Sequence, residues 1–216
     1  TLLMVAMGNG HVGLAEALLR RGADILLQNS NGSTALMFAA ANGREKMVEL
    51  ALRHGAEVDQ KDPNGCIALM DAAYKGHERV VDTLIRLGAE INLQANKGDT
   101  ALMFAADNGR PAVVLRLLRA GADMTLRNVV SETALQIAKE EGHAECVEAF
   151  RTYLGEVTAA QSEAPSAEAD GAGAGDAPTG EAEAGASVSP LITDTLPSCV
   201  SPRPLLRAAR AARGRR

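Results

Sequence analysis

The sequence is poor in aromatic residues, because it contains no tryptophan, two tyrosines and three phenylalanines. Its apolar content of 46% therefore rests on aliphatic residues and methionine, which suits many small packing units better than one large core. No apolar run approaches the roughly 20 residues that a membrane-spanning helix needs. The sequence therefore predicts a globular part without a membrane span.

Cysteine is also scarce, and the sequence lacks the common catalytic, phosphate-binding and metal-binding motifs. Cys66, Cys146 and Cys199 show neither a CxxC motif nor histidines at metal-ligand spacing. An odd, scattered set of this kind argues against a disulfide framework and for a reducing compartment. A phosphate loop, a G-x-S-x-G motif and a paired-carboxylate signature are missing as well. We predict no catalytic residue, no cofactor and no metal ligand, and we expect a cytoplasmic protein, with the nucleus as an alternative.

The net charge of −5 is unevenly distributed. Residues 1–154 carry 19 acidic and 16 basic side chains, without a basic stripe for nucleic acid. Residues 156–200 are rich in alanine, glycine, glutamate and serine and contain no lysine or arginine, whereas 201–216 hold six arginines and no acid. This composition predicts a disordered tail over 156–216, acidic over 156–194 and arginine-rich over 201–216. Nucleic acid is not an expected partner of this chain, and only that arginine-rich end has the charge to bind it.

A 33-residue period dominates the rest of the chain. One glycine series recurs at that spacing, and threonine holds one position in four of the five units, with isoleucine in the remaining unit: Gly22, Gly55, Gly88, Gly121; Thr1, Thr34, Ile67, Thr100, Thr133. In the four units with threonine, its side chain can cap a short apolar helix. In each unit a glycine can end that helix, and a second apolar helix follows. Two short helices cannot bury a core alone, so the period predicts a stack of repeats.

The histidines follow the same period. His11, His77 and His143 share one position, at the start of the second helix of their repeats. A catalytic or metal site needs side chains that converge, whereas these are translated along a stack. We therefore predict a structural role for them.

The motifs of these units resemble those of ankyrin repeats over residues 1–154. The matching stretches are G-x-T-x-L-x-x-A-A at 32–40 and 98–106, Gly-His at 76–77, and the G-A-acid-hydrophobic pattern at 55–59 and 88–92. The usual T-P-L-H reads T-A-L-M at 34–37. The resemblance implies an all-α solenoid of stacked helix-turn-helix units with β-hairpin-like connectors. We place the array at 1–155, with repeats at about 1–31, 32–64, 65–97, 98–130 and 131–154.

The resemblance also implies a function. It favours a non-catalytic protein–protein interaction module, a scaffold or adaptor that holds a protein or peptide on its concave surface. The alternative is a targeting or regulatory region of a larger enzyme, a kinase or ubiquitin-ligase complex, with its catalytic domain outside this chain. No small-molecule substrate is expected. Because Thr1 already stands at a cap position, we expect a clipped first repeat whose apolar Leu2, Leu3, Val5 and Ala6 promote self-association.

Ankyrin-like arrays hold partners with their connector tips and the exposed side of their first helices. Carried onto this sequence, those positions predict a partner-binding set: Phe38, Asn42, Asn64, Cys66, Asp71, Tyr74, Lys75, Lys97, Asp99, Phe104, Asp107, Asn108 and Glu132. Within it, Asp71 interrupts an apolar row that includes Phe38 and Phe104. Either Asp71 faces solvent from a half-buried row, or it lies in a central pocket. In the pocket hypothesis Tyr74 is the anchor, and Asp71 and Asp107 select a basic partner side chain.

Overall fold

The computed structural model describes residues 1–162, and within that range it is all-helical. The predicted tail from 163 onward lies outside the described residues. In chain order the helices are α1 Leu2–Asn9, α2 Val12–Arg20, α3 Ala35–Ala41, α4 Glu45–Arg53, α5 Ala68–Lys75, α6 Glu78–Arg86, α7 Ala101–Asp107, α8 Pro111–Arg119, α9 Ala134–Glu141 and α10 Ala144–Ser162.

The helices form two layers. The first helices of the repeats, α1, α3, α5, α7 and α9, pack side by side in one row. The second helices α4, α6, α8 and α10 form the other row, and each repeat's two helices pack on each other. One continuous apolar core runs between the layers from Leu3 to Phe150. The predicted helical solenoid is thereby confirmed.

Threonine caps begin four of the first helices. The side chain of Thr34 accepts a hydrogen bond from the Met37 amide at 3.2 Å, and Thr1, Thr100 and Thr133 do the same in their helices. Ile67 makes no such bond. The residue that replaces the usual histidine still closes the cap, since the Met37 sulfur accepts from the Thr34 amide. The departure from T-P-L-H therefore leaves this helix start intact.

A ladder of side-chain donors joins consecutive repeats. The residue at the N-cap of each of the last four second helices reaches back to a carbonyl near the end of the preceding first helix. We call these residues the donor ladder; the atom pairs are Arg44 Nε to Gly8 O at 3.2 Å, His77 Nε2 to Ala41 O at 3.0 Å, Arg110 Nε to Tyr74 O at 3.3 Å and His143 Nε2 to Asp107 O at 2.9 Å. The predicted structural role of His77 and His143 is thus confirmed.

Glycine at the end of each first helix makes room for this ladder. Gly76 has a φ of +84°, and a Cβ added there would lie 2.7 Å from the Arg110 Cδ. Gly142 has a similar φ of +78° but meets no neighbour, because no repeat packs after it in the described part of the chain. The glycine is required both for the left-handed turn and for the approach of the next repeat.

The connectors are tight, hairpin-like turns that also touch one another. In the third connector the Ala95 amide donates to the Asp99 carbonyl at 2.9 Å, and the others repeat this bond. Neighbouring turns are joined by Asn96 N to Asn64 O and Val129 N to Lys97 O, both at 2.9 Å. The connectors thus form a bonded edge along the stack, and their hairpin-like turns agree with what the resemblance implied.

The last helix is longer than predicted. Helix α10 continues through Gly155 to Ser162, so the first seven residues of the expected disordered tail are helical. A glycine inside a helix costs only about 1 kcal/mol relative to alanine, and Arg119 holds Glu156 from the neighbouring helix at 3.1 Å. The composition change after Gly155 is therefore not the end of the helix.

The two cysteines within the described residues are in different states. Cys146 is a free thiol, and burial raises its pKa to about 11. Cys66, however, is disulfide-bonded; the sequence argues against a disulfide framework, and a single bridge is not one. An odd number of cysteines leaves one thiol over but does not prevent a single bridge. Among the residues that the structure describes, no helix is long and apolar enough to cross a bilayer.

Candidate binding surface

The predicted partner-binding residues lie on one side of the stack. They belong to the connector turns and to first helices α3, α5 and α7. We call this surface, which consists of the connector turns and the adjoining side of α3, α5, α7 and α9, the front strip. The structure brings Tyr74 into contact with Phe104 of the next repeat and places five predicted residues around one cavity. Phe38 and Asn42 lie one repeat away.

Asp71 is buried at the middle of the strip. Only 5% of the residue is exposed, and its carboxyl group makes no hydrogen bond or ion pair within residues 1–162. Burial raises the pKa of this carboxyl to about 8; the charge of Asp62 adds to that effect and Lys75 opposes it. The alternative in which Asp71 faces solvent is therefore wrong. A buried charge without a partner is costly, so the carboxyl keeps a proton near neutral pH.

Tyr74 stands one turn after Asp71 and is held by its neighbours. Its ring centroid lies 6.4 Å from that of Phe104, with an interplanar angle of 74°, an edge-to-face arrangement. The Lys75 Nζ lies 5.4 Å from the Tyr74 ring centroid. Phe104 itself is only 3% exposed, so it supports the tyrosine from below rather than offering an open wall to a partner.

A small cavity opens beside Phe104 at the connector edge. It has a volume of about 60 Å³, and the residues around it are Asn64, Cys66, Ala95, Asn96, Lys97, Asp99 and Phe104. Five of these belong to the set that the sequence predicted. Because Cys66 is disulfide-bonded and 2% exposed, it lines the cavity but offers no free thiol to a partner.

A second acidic group lies further along the strip. Asp99 and Glu132 are 8% and 6% exposed. The Asn128 amide nitrogen lies between them, 3.0 Å from the Asp99 Oδ1 and 3.4 Å from the Glu132 Oε2. Sequence reasoning missed Asn128; its signal was the turn position that Asn29 and Asp62 also occupy. Asp107 is half-buried on the same side of the stack.

The two asparagines of the predicted set have a structural task. The Asn42 side-chain nitrogen donates to the Phe38 carbonyl at 2.8 Å, and Asn108 repeats this bond to Phe104 at 3.1 Å. Each closes the last turn of its own helix. A partner would meet chiefly their side-chain oxygens.

The surface formed by the second helices differs from the front strip in how its charges are paired. There, Arg116 pairs with Glu78 at 2.9 Å and also with Asp82, and Arg86 pairs with Glu49 at 3.1 Å. These exposed carboxylates have basic partners from the next repeat, whereas Asp71 on the front strip has none within the described residues. In that same range no group of three or more histidine, cysteine or acidic side chains is placed to hold a metal ion.

Comparison with known families gives two matches. Models described as ankyrin repeats match residues 3–95, in three copies, and residues 84–138, in many copies. The two ranges overlap and together extend from the first helix into helix α9. None of the curated proteins compared with the chain matches it.

Proposed function

The chain belongs to the ankyrin-repeat family, whose arrays are generally protein-interaction modules, and from this premise we propose that it binds a basic protein or peptide segment along the front strip. Members of this family are typically non-catalytic. The proposed binding mode is an extended segment on the concave side of the array, with a basic side chain at repeat three.

The observation that carries the proposal is Asp71. Within residues 1–162 the array provides no donor to this buried carboxyl. An arginine or lysine side chain from a partner would supply the missing hydrogen bonds, and such charge-assisted bonds are stronger than neutral ones. Because the pKa of Asp71 is raised to about 8, binding of a cation at pH 7 would also release a proton.

Tyr74 supplies the apolar part of the contact. It is half-buried and fixed by Phe104 and Lys75, so it loses little side-chain entropy on binding. Preorganised tyrosines near the centre of an interface are frequent hot spots. The exposed Lys97 lies at the rim, where a charge affects the association rate and the salt dependence more than the affinity.

The test measures binding of a labelled peptide with arginine at every third position to the full chain. We expect Tyr74→Ala to weaken binding by about 2 kcal/mol or more, and Asp71→Lys to abolish it by like-charge repulsion. Tyr153→Ala is the matched control, since it removes the other tyrosine, on helix α10 away from the strip. Retention of the peptide by a folded double variant, Asp71→Lys with Tyr74→Ala, would refute this site.

A further inference from the structure

Acidic side chains lie on the front strip in each of repeats three to five. Neighbouring helices pack with axes about 8–10 Å apart, so equivalent positions recur at roughly that distance along the row α5, α7 and α9. Asp107 and Glu140 hold equivalent positions in repeats four and five, and so do Asp99 and Glu132, which are buried beside Asn128. Asp71 of repeat three holds another position, which is occupied by Phe104 and Ile137 in the later repeats.

The arginine-rich end of the same chain has a matching period. Four of its arginines recur at every third residue: Arg207, Arg210, Arg213 and Arg216. An extended chain advances about 3.3 Å per residue, so three residues cover about 10 Å. Arginines at this interval would meet one repeat each, and the segment contains no acidic residue to oppose them.

We propose that residues 201–216 occupy the front strip of their own chain over repeats three to five, with successive arginines facing the carboxylates of successive repeats. This inference rests on the proposed function, because it assigns an occupant to the same strip. Asp71 is the independent indication of a ligand, since it is a buried carboxyl that residues 1–162 leave without a donor.

The chain is long enough for this arrangement. The described part ends at Ser162, at repeat five, and residues 163–200 separate it from the arginine-rich segment. A random coil of that many residues would have a root-mean-square span of roughly 35 Å, whereas repeats three and five are separated by about 20 Å. The stretch would hold the segment near the strip at an effective concentration of order millimolar.

It follows that an outside partner has to compete with a resident segment. A ligand of modest affinity would be excluded, whereas one that also engages Tyr74 and the cavity beside Phe104 would displace the arginines. The segment thus sets a threshold of affinity for binding to the array.

The experiment uses full-length chains and a labelled synthetic peptide of residues 201–216, with binding followed by fluorescence anisotropy. We compare the unmodified chain with two variants that each remove two positive charges. Arg207→Ala with Arg210→Ala removes arginines of the three-residue series, and Arg203→Ala with Arg215→Ala removes arginines outside it. We expect the first variant to bind the peptide at least about tenfold more tightly than the unmodified chain, and the second to change by less than about twofold.

A third arm adds Asp71→Asn to the Arg207→Ala, Arg210→Ala chain. Its binding of the peptide should fall, and circular dichroism checks that the array remains folded. Asparagine keeps the shape of the side chain and removes the ionisable carboxyl, so the loss reports the charge.

The outcomes separate the two proposals. Equal, Asp71-dependent binding by all the chains would overturn the resident segment and leave the proposed binding site standing. No binding to any chain, or binding that ignores Asp71→Asn, would overturn both. If both arginine variants bound the peptide equally more tightly, charge alone would attract the segment. That result would overturn the argument from the three-residue spacing. Tightening that grows with chain concentration would place the segment on another copy and overturn occupancy of its own strip.

Discussion

At the scale of single residues, Asp71 should make the stability of the array depend on pH. Its pKa is raised from 3.8 to about 8 by burial, so the folded state binds a proton that the unfolded state releases. The contribution of Asp71 to the free energy of unfolding is then fully present below about pH 4 and is lost as the pH rises through 8. Asp62 raises this pKa further and Lys75 lowers it. We expect a loss of roughly 1 kcal/mol per pH unit between pH 5 and 7.

Urea unfolding at pH 5, 7 and 9 measures this effect. Asp71→Asn should flatten the dependence, because the carboxyl is gone. Glu57→Gln is the control, since Glu57 is an exposed carboxylate on a connector, and it should leave the slope unchanged. A slope that survives in the Asp71→Asn chain would show that other groups carry it.

Ser131 illustrates what glycine does in the connectors. It has a φ of 64°, unusual for a residue with a side chain, at the position that Gly32, Gly65 and Gly98 hold elsewhere. A Cβ on Gly65 would lie 2.5 Å from the Asn96 side-chain oxygen, and one on Gly98 would lie 2.9 Å from the Asn128 Cα. Ser131 is in the last repeat described, where no later connector packs against it, so the side chain costs only backbone strain.

The burial of Asp71 could not be predicted from the sequence. A single acidic residue in an apolar row fits a solvent-facing position as well as a buried one, because the neighbouring repeats decide between them. Tyr74 and Phe104 were predicted as partners in one pocket, but their edge-to-face contact depends on the offset between α5 and α7. The sequence showed which residue types this surface would contain, but it did not show how far each side chain would be exposed.

At the scale of elements, the donor ladder predicts a sensitivity to acid. Burial lowers the pKa of His77, and its nearby cations Arg110, Lys75 and Arg44 lower it further, against the hydrogen bond to Ala41. The neutral ring is therefore favoured in the folded state. Its contribution to stability is present above about pH 6.5 and is lost as the pH falls below that value.

His77→Arg tests this directly. Arg44 and Arg110 make the same kind of bond at this position, so the variant keeps a donor that does not titrate. We introduce it into the Asp71→Asn chain, which lacks the opposite pH dependence of Asp71, and expect a smaller loss of stability between pH 7.5 and 5 than in that chain alone. His54→Arg is the control, because His54 is exposed at the end of α4, and it should keep the full loss. Equal losses in all three chains would contradict a role for His77.

The bounds of the elements were largely predictable, but the links between them were not. Helix α7 lies between Thr100 and Gly109, as its cap and stop residues indicated. The donor ladder was missed because histidine and arginine alternate at one position and look unrelated as letters. The extension of α10 was missed because the change of composition after Gly155 was interpreted as the start of a disordered tail, whereas neighbouring packing and the Arg119–Glu156 pair continue the helix.

At the scale of the whole molecule, the first repeat exposes apolar side chains. Leu2 and Val5 are 59% and 55% exposed, whereas Leu3 and Ala6 are buried. Only two of the four residues that were predicted to promote self-association are therefore exposed. We expect concentration-dependent self-association through this face. Leu2→Glu with Val5→Lys should reduce the sedimentation coefficient at high concentration to that of the monomer.

The control for self-association is Val129→Glu with Val130→Lys. These valines are 70% and 55% exposed on a connector at the other part of the array, so the control changes the same number of exposed apolar residues. It should leave the association intact. A monomer at all concentrations in the unmodified chain would remove the basis of the prediction.

The alternation of arginine and histidine in the donor ladder also concerns how such an array can be lengthened or shortened. Residues 34–43 and 100–109 differ only at Ala41 and Asp107, so the sequence repeats over two units as well as over one. Deletion of residues 34–99 would seat Arg110 on helix α1, where Arg44 sits now. Deletion of a single repeat would instead bring together a donor and a helix end that never meet in the present chain. The unit that can be duplicated or lost with native junctions is therefore a pair of repeats.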